Sequence, residues 1–396
     1  MGSLYYRNLL MQPERLDAMN RAIRLAVEQG DVVVDVGTGV GTYAVMAARA
    51  GASTVYAIEP DHVAEIAAKV FEVNGVADRI TIIRQRIEEV NLSTKADLLI
   101  TEDFAPWFYD EHIHDLLLYN RSKVLREGGR VIPSKVTVRA CPWGGPVTDS
   151  TDPGWRHRPG MPDSDTGDIM GIDFSPLESL AVNTPDPYGI PPGGPLADGT
   201  DLFAWDLTLL EPGSYSSDAR WIIERKGNIW GIGIWMEMEL WEGVHYSNAP
   251  GEDEVSWGQG HFPLAAPLEV GPETVVEAVV ETRTDPAGMV WWSWKVWADG
   301  NRSQAREGNT FGALPFGDDR RRILDEQGRL PLSMWAEIDR YLLKALTEKN
   351  LSEAAADALE IFPDLLVDEA RARRRASSIR ERYLAGNENS VEGKNE

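Results

Sequence analysis

Between residues 31 and 133 the apolar positions fall into short unbroken runs separated by stretches with helical spacing. DVVVDVG (31–37), STVYAIEP (53–60), RITIIRQRI (79–87) and ADLLITE (96–102) have strand length, and RVIPSKVTVRA (130–140) contains the next strand. GTYAVMAARAGA (41–52) and HVAEIAAKVFEVNG (62–75) carry helical patterns, the second closed by Gly75. Strands apolar on both faces that alternate with helices over short connections predict a parallel sheet covered on both sides.

After Ile132 and Pro133 the pattern breaks. Residues 141–219 hold 12 of the 24 prolines and 13 Asp or Glu against Arg156 and Arg158, which predicts a loop-rich excursion and not a domain core. Residues 221–297 return to strand-length alternation in WIIERKGNIWGIGIWMEMEL, ETVVEAVVETRT and MVWWSWKVW, as expected of an antiparallel, barrel-like β domain. From about residue 320 the spacing is helical again, with Ser352 and Asp368 as expected N-caps, and GNENSVEGKNE reads as a disordered tail. The expected organisation is 1–133, 134–318 with the excursion inside it, a helical extension over 319–385, and a tail over 386–396.

Charge narrows the function. The 396 residues carry 63 Asp or Glu against 39 Lys or Arg, a net charge of -24. Such a chain repels phosphate backbones and anionic membranes and attracts cations, so neither nucleic acid nor membrane is an expected partner. Cys141 stands alone, so no disulfide forms within the chain, and a reducing, cytoplasmic setting is expected. The opening MGSLYYRNLL has no long apolar run, so no signal peptide is expected.

Two segments carry candidate chemistry. Asp35-Val36-Gly37-Thr38-Gly39-Val40-Gly41 leaves a strand and enters a helix, where glycines allow a tight turn and close approach of a ligand to the backbone. Glu59 ends the next strand, placed to accept hydrogen bonds from ribose hydroxyls. Asp35 would crowd a pyrophosphate but suits a cationic ligand such as the amino acid part of S-adenosylmethionine. The second segment, TEDFAPWFYDEHIHD (101–115), places Glu102 and Glu111 at the two ends of a loop after the fourth strand, with no Lys or Arg between them. Two carboxylates facing one pocket need a cation, and a guanidinium can donate to both.

Other features read more plainly. His112 and His114 lack a third placed ligand, so no metal is expected. Trp291, Trp292, Trp294 and Trp297 read as core or interface, and Arg371, Arg373, Arg374 and Arg375 as a solvated helix face.

Together these segments resemble the protein arginine methyltransferase family from about Leu9 to Trp297. DVGTGVGTYAVMAARAGASTVYAIEP is similar to that family's S-adenosylmethionine motif, and RITIIRQRIEEV to its adenine-contacting segment, which implies Ile87 and Glu88 beside the adenine. TEDFAPWFYDE has the family's double-Glu spacing, which implies a catalytic, guanidinium-binding role for Glu102 and Glu111. LREGGRVIPS resembles the closing motif of the first domain, and Arg15 matches the arginine that holds the cofactor carboxylate. VSWGQ (255–259) resembles the substrate loop, with Trp257 retained and Ser256 in place of its histidine; the aspartate that normally pairs with that histidine is Gln12. Asp103 stands where the family usually has an aromatic or apolar residue, and Tyr5 and Tyr6 do not take the place of the family's substrate-covering aromatic helix.

The resemblance implies an α/β fold: a Rossmann-like S-adenosylmethionine-binding domain, an antiparallel β-barrel, a dimerisation arm over about 170–205, and here a C-terminal helical extension. It implies a homodimer that binds S-adenosyl-L-methionine and methylates arginine in a protein, a peptide or the free amino acid. Two other readings stay open: methylation of another amine or guanidine in a natural product or peptide, and a cofactor-binding scaffold without catalysis.

Overall fold

A computed structural model describes residues 3–87, 90–117, 121–144, 168–169, 172–173, 182–188, 194–250, 258–284, 290–310, 341–342, 345–346, 349–361 and 369–383. The chain divides into two compact units, Met1–Thr282 with Trp292–Leu314, and Arg283–Trp291 with Pro315–Glu396.

The first unit opens with helices α1 (Ser3–Leu10) and α2 (Pro13–Ala26), the latter with its proline in the first turn, where no backbone donor is lost. Strands β1 (Val32–Val36), β2 (Thr54–Ile58), β3 (Ile80–Ile83), β4 (Ala96–Thr101) and β5 (Leu125–Ile132) form one parallel sheet in the order β3-β2-β1-β4-β5. Val33, Val34, Leu98 and Ile100 on its central strands are fully buried, each contributing roughly 1.5–3 kcal/mol of apolar transfer. Helices α3 (Thr42–Ala50) and α4 (Ala64–Val73) follow β1 and β2, while α5 (Glu111–Asp115) and α6 (Arg121–Val124) lie between β4 and β5. The connections from β1 run to one side and those from β4 to the other. The crevice at the carboxyl ends of these two neighbours is therefore the switch point where such sheets bind ligands.

After β5 the chain crosses Pro133 into β6 (Lys135–Trp143) and an antiparallel region. It contains the short β7 (Asp168–Ile169) and β8 (Ile172–Asp173), then β9 (Asp186–Tyr188), β10 (Thr200–Asp206), β11 (Tyr215–Ile222), β12 (Gly227–Trp241) and β13 (Val244–Ser247). β14 (Gln259–Val270), β15 (Val275–Thr284), β16 (Val290–Ala298) and β17 (Arg306–Asn309) complete it. Among the described residues these make a six-stranded path β10-β6-β12-β14-β9 with β13 on β12, a four-stranded sheet β11-β15-β16-β17, and the pair β7-β8. β15 alternates cleanly, with Val276, Ala278 and Val280 buried, as a strand with one face inward must.

The loop-rich reading of 141–219 is corrected at both ends. β6 carries Cys141 and Trp143 into the core, and β10 and β11 bury Leu202, Phe203, Trp205, Ala219 and Trp221. TDLFAWD is short and lies among prolines, so only its pairing with β6 fixes it as a strand. Much of the arm expected over 170–205 lies outside the described residues.

In the second unit the described residues from 341 onward are largely helical. Helices α7 (Leu351–Ile361) and α8 (Glu369–Tyr383) meet through Ala354, Ala355, Ala358, Ala372, Ala376 and Ile379, with Leu342 and Ala345 in the same cluster. α7 is capped by Asn350, not by Ser352. The Glu353 amide donates to Asn350 Oδ1 (3.1 Å) and the Asn350 amide to Glu353 Oε2 (3.3 Å), a reciprocal capping box. Asp368 and the 386–396 tail lie outside the described residues. No helix among the described residues is long and apolar enough to cross a membrane.

Candidate active site

Three glycines in the left-handed region, Gly37 (φ 74), Gly39 (φ 54) and Gly41 (φ 88), turn the chain from β1 into α3. The amides of Gly37 and Thr38 both donate to the Ile58 carbonyl at 3.0 Å, which ties the loop to the end of β2. A Cβ on Gly41 would stand 2.3 Å from the Phe71 ring, so that glycine is set by packing as well as by φ. Cβ atoms on Gly37 and Gly39 would stand 3.3 Å from Asp103 and 3.2 Å from the Tyr6 ring, so the loop, the exit of β4 and α1 converge here.

Asp35 is buried at the end of β1, and its Oδ2 accepts from Thr38 Oγ1 at 2.6 Å. Burial pushes its carboxyl up to about 7, against the opposing Thr38 hydrogen bond. Glu59 lies across the loop. Its two oxygens accept from the Gly39 and Asp61 amides, both at 3.0 Å, and burial raises its carboxyl against those bonds. Ile87 lies half-buried just past β3.

Glu102 follows β4 directly. Arg15 from α2 donates through Nη1 to both of its oxygens, at 2.6 Å to Oε2, and to the Tyr43 hydroxyl at 2.8 Å; its Nη2 donates to the Leu9 carbonyl at 2.6 Å. The Tyr43 hydroxyl donates in turn to Glu102 Oε2. Burial raises the Glu102 carboxyl, and Arg15 and Tyr43 oppose that rise. The arginine assigned to a cofactor carboxylate thus grips the carboxylate assigned to a guanidinium. Asp103 stays exposed next to it.

The rest of the acidic segment divides its labour. Asp110 caps α5 by accepting from the Ile113 amide at 3.0 Å and also accepts from the Ala105 amide at 3.1 Å, so it shapes the hairpin. Glu111 heads α5, but its side chain lies outside the described residues, as do Glu88, Ser256 and Trp257. His114 is buried, and no group of three metal-ligating side chains exists among the described residues. Trp291, Trp292, Trp294 and Trp297 are buried as core, and the Trp292 indole donates to the Tyr109 carbonyl at 3.0 Å, joining β16 to the hairpin.

Comparison with known proteins follows the same division of the chain. A family model of the TRM5/TYW2 methyltransferase domain matches residues 9–131, the parallel-sheet part. The chain is 26% identical over 291 residues to the probable protein arginine N-methyltransferase 6.1 of Oryza sativa subsp. indica, spanning 64% of this chain and 73% of the relative. It is 25% identical over 287 residues to protein arginine N-methyltransferase 1 of Saccharomyces cerevisiae, spanning 68% and 74%. The chain is thus similar to protein arginine N-methyltransferases over about two thirds of its length and carries a methyltransferase domain. The fold agrees with that of the Trypanosoma brucei PRMT1 enzyme-prozyme heterotetrameric complex with AdoHcy, at TM-score 0.65 and 20% identity over 77% of this chain and 97% of that chain.

Within this methyltransferase site, two contributions escaped the sequence reading. Tyr5 and Tyr6 ride on α1 with their rings edge to face at 5.2 Å, and Tyr6 packs against the glycine loop at Gly39. Burial raises the Tyr5 hydroxyl, and the charges of Asp103 and Glu102 push it the same way. Tyr43 is the other contribution. A buried tyrosine in the first turn of the helix after a glycine loop needs a partner for its hydroxyl, and that need was the available signal.

Proposed function

We propose that this chain is an S-adenosylmethionine-dependent N-methyltransferase that methylates an arginine guanidinium in a protein, a peptide or free arginine. The observation that carries the reading is the half-buried Glu102 carboxylate at the exit of β4, held by Arg15 and Tyr43. The cleft fits the cofactor. Gly37 and Gly39 hold a tight left-handed turn at the carboxyl end of β1, Glu59 offers a carboxylate for ribose hydroxyls, and Asp35 faces the loop as an acid suited to a cation. Arg15 would hold the cofactor carboxylate while staying tied to Glu102, Gly41 keeps the turn, and Ile87 and Glu88 would flank the adenine.

S-adenosylmethionine, when bound, supplies an activated methyl group on a sulfonium. The residues of this chain supply orientation and charge. A guanidinium in water is protonated and its lone pairs are delocalised. Glu102 and Glu111 would fix its plane and draw positive charge toward the nitrogens they bind, leaving density on the nitrogen that attacks. They would hold that nitrogen in line with the methyl at a starting distance of about 3–3.5 Å and accept the proton it releases. Arg15 and Tyr43 act through Glu102, as positioning residues. Trp257 and Ser256 would border the acceptor.

The same reading takes the enzyme as a cytoplasmic homodimer, joined through the arm over 170–205, with its antiparallel sheets closing as a barrel. The test uses donor labelled in its methyl group with arginine peptides, free arginine and small guanidines, followed by mass spectrometry. Label on a guanidino nitrogen is expected. Cofactor binding without transfer to any arginine acceptor would reject the assignment.

A further inference from the structure

Four carboxylates stand around the glycine loop and the ends of β1, β2 and β4. Three of them have donors within the chain. Asp35 is 1% exposed, and its Oδ2 accepts from Thr38 Oγ1 at 2.6 Å. Glu59 accepts from the Gly39 and Asp61 amides, both at 3.0 Å. Glu102 accepts from Arg15 at 2.6 Å and from the Tyr43 hydroxyl. Asp103 is the fourth. Its side chain is exposed, and among the described residues no hydrogen bond or ion pair reaches its carboxylate.

The place of Asp103 is set by its neighbours. A Cβ on Gly37 would stand 3.3 Å from the Asp103 Cβ and 3.6 Å from its Oδ2, so the carboxylate lies against the first glycine of the loop. Burial comes first in raising the Tyr5 hydroxyl and the Glu59 carboxyl, and the Asp103 charge adds to both, so that charge is felt at α1 and at the end of β2. Arg15 is committed elsewhere: its Nη1 serves Glu102 and Tyr43, and its Nη2 the Leu9 carbonyl. Like charges around one loop repel, and a cation brought by a ligand relieves that repulsion.

We infer that Asp103 is a cofactor-binding residue, whose carboxylate accepts hydrogen bonds from the α-ammonium group of S-adenosylmethionine. This rests on the reading of the cleft as a methyl-donor site and adds the partner of one group of that donor. The sulfonium is charged but has no N–H, whereas the α-ammonium brings three donors and needs acceptors. It shares one carbon with the carboxylate assigned to Arg15, so its acceptor stands beside Arg15. Arg15 grips Glu102, and Asp103 is the next residue along the chain. The other three acids already have donors, whereas Asp103 offers two oxygens without one. The family that the chain resembles usually has an aromatic or apolar residue here, which offers no such acceptor, so the contact is a property of this chain.

The test measures, by calorimetric titration, binding of S-adenosylhomocysteine and of its analogue with hydrogen in place of the α-amino group. Both ligands bind without an acceptor, so no turnover is needed. The full chain is compared unaltered, as Asp103→Ala, and as Asp61→Asn, which removes a charge near Glu59 without touching the inferred contact. In the unaltered chain, loss of the amino group is expected to weaken binding about tenfold, the scale of one charge-assisted hydrogen bond. Asp103→Ala weakens S-adenosylhomocysteine by a similar factor and then responds less than about twofold to loss of the amino group, as two halves of one contact must. Asp61→Asn keeps the full response. The Asp103 side chain is exposed, so the variant folds as the unaltered chain does, which thermal unfolding checks. A full response kept in Asp103→Ala, or the same loss of response in Asp61→Asn, would overturn the inference while leaving the donor site in place. If the unaltered chain binds neither ligand, the donor-site reading fails and the inference falls with it.

Discussion

The Tyr43 hydroxyl donates to the Glu102 oxygen that also accepts from Arg15, although Tyr43 and Glu102 are 59 residues apart in sequence. The carboxylate thereby receives a cation and a neutral donor on one side, which fixes its plane. Tyr43→Phe removes the neutral donor and little volume. It is expected to lower unfolding free energy by about 1–2 kcal/mol, as for a lost buried hydrogen bond, and to reduce turnover about tenfold with cofactor affinity kept. Urea unfolding and methyl-transfer assays read the two effects separately.

Glu102→Gln goes further, because it removes the charge. Turnover should fall by the equivalent of about 2–4 kcal/mol of transition-state stabilisation, as when a preorganised contact is lost. The variant also leaves Arg15 buried without its counter-charge, at roughly 3–5 kcal/mol of stability. Adding Arg15→Met should restore much of the stability and none of the turnover. A double variant that regains activity would show that Glu102 serves the fold and not the reaction.

The two halves of this arrangement were unequally legible in the sequence. Asp35, the glycines, Glu59 and Glu102 sit at strand ends, and parallel strands apolar on both faces stand out as unbroken runs. Arg15 was readable as a site residue, but its grip on Glu102, 87 positions away, exists only once the fold brings α2 to the exit of β4. β10 was hidden for the same reason, being a short run whose strand character depends on β6.

Asp35 gives the fold a pH dependence of definite sign. Its carboxyl titrates near 7 in the folded chain against 3.8 for the ordinary group, so the folded state binds the proton more tightly. The associated stability is fully present below about pH 4 and is lost as pH rises through about 7, roughly 4 kcal/mol in all. Asp35→Asn should remove this trend. Urea midpoints measured from pH 4 to 8 on variant and unaltered chain give the difference, and parallel curves would exclude a buried, proton-holding Asp35.

His261 works in the opposite direction. Buried in β14 with its ring 4.5 Å from that of Trp143, it is pushed down to about 3 from the ordinary 6.5. Its neutral form stabilises the fold above about pH 6.5, and roughly 5 kcal/mol is lost as pH falls toward 3. Between about pH 4 and 6.5 the two groups oppose each other. His261→Gln should therefore expose the Asp35 trend, with stability rising on acidification, and Asp35→Asn the His261 trend, with stability falling. Both variants shifting in the same direction would contradict the assignment.

Glycine positions offer a comparison within one chain. Gly41 has φ 88 and would bring a Cβ to 2.3 Å from the Phe71 ring, whereas Gly75 has φ 67 and open space around it. Gly75→Ala meets only the left-handed strain, about 1–2 kcal/mol. Gly41→Ala adds overpacking of about 1–3 kcal/mol against a buried ring whose helix must shift. Because that shift displaces the loop between Gly37 and Gly41, Gly41→Ala should also weaken cofactor binding at least tenfold, while Gly75→Ala leaves it unchanged. Calorimetric titration with S-adenosylmethionine, alongside thermal unfolding, checks both. Equal effects at the two positions would mean that backbone conformation alone, and not the close approach of Phe71, requires glycine in the loop.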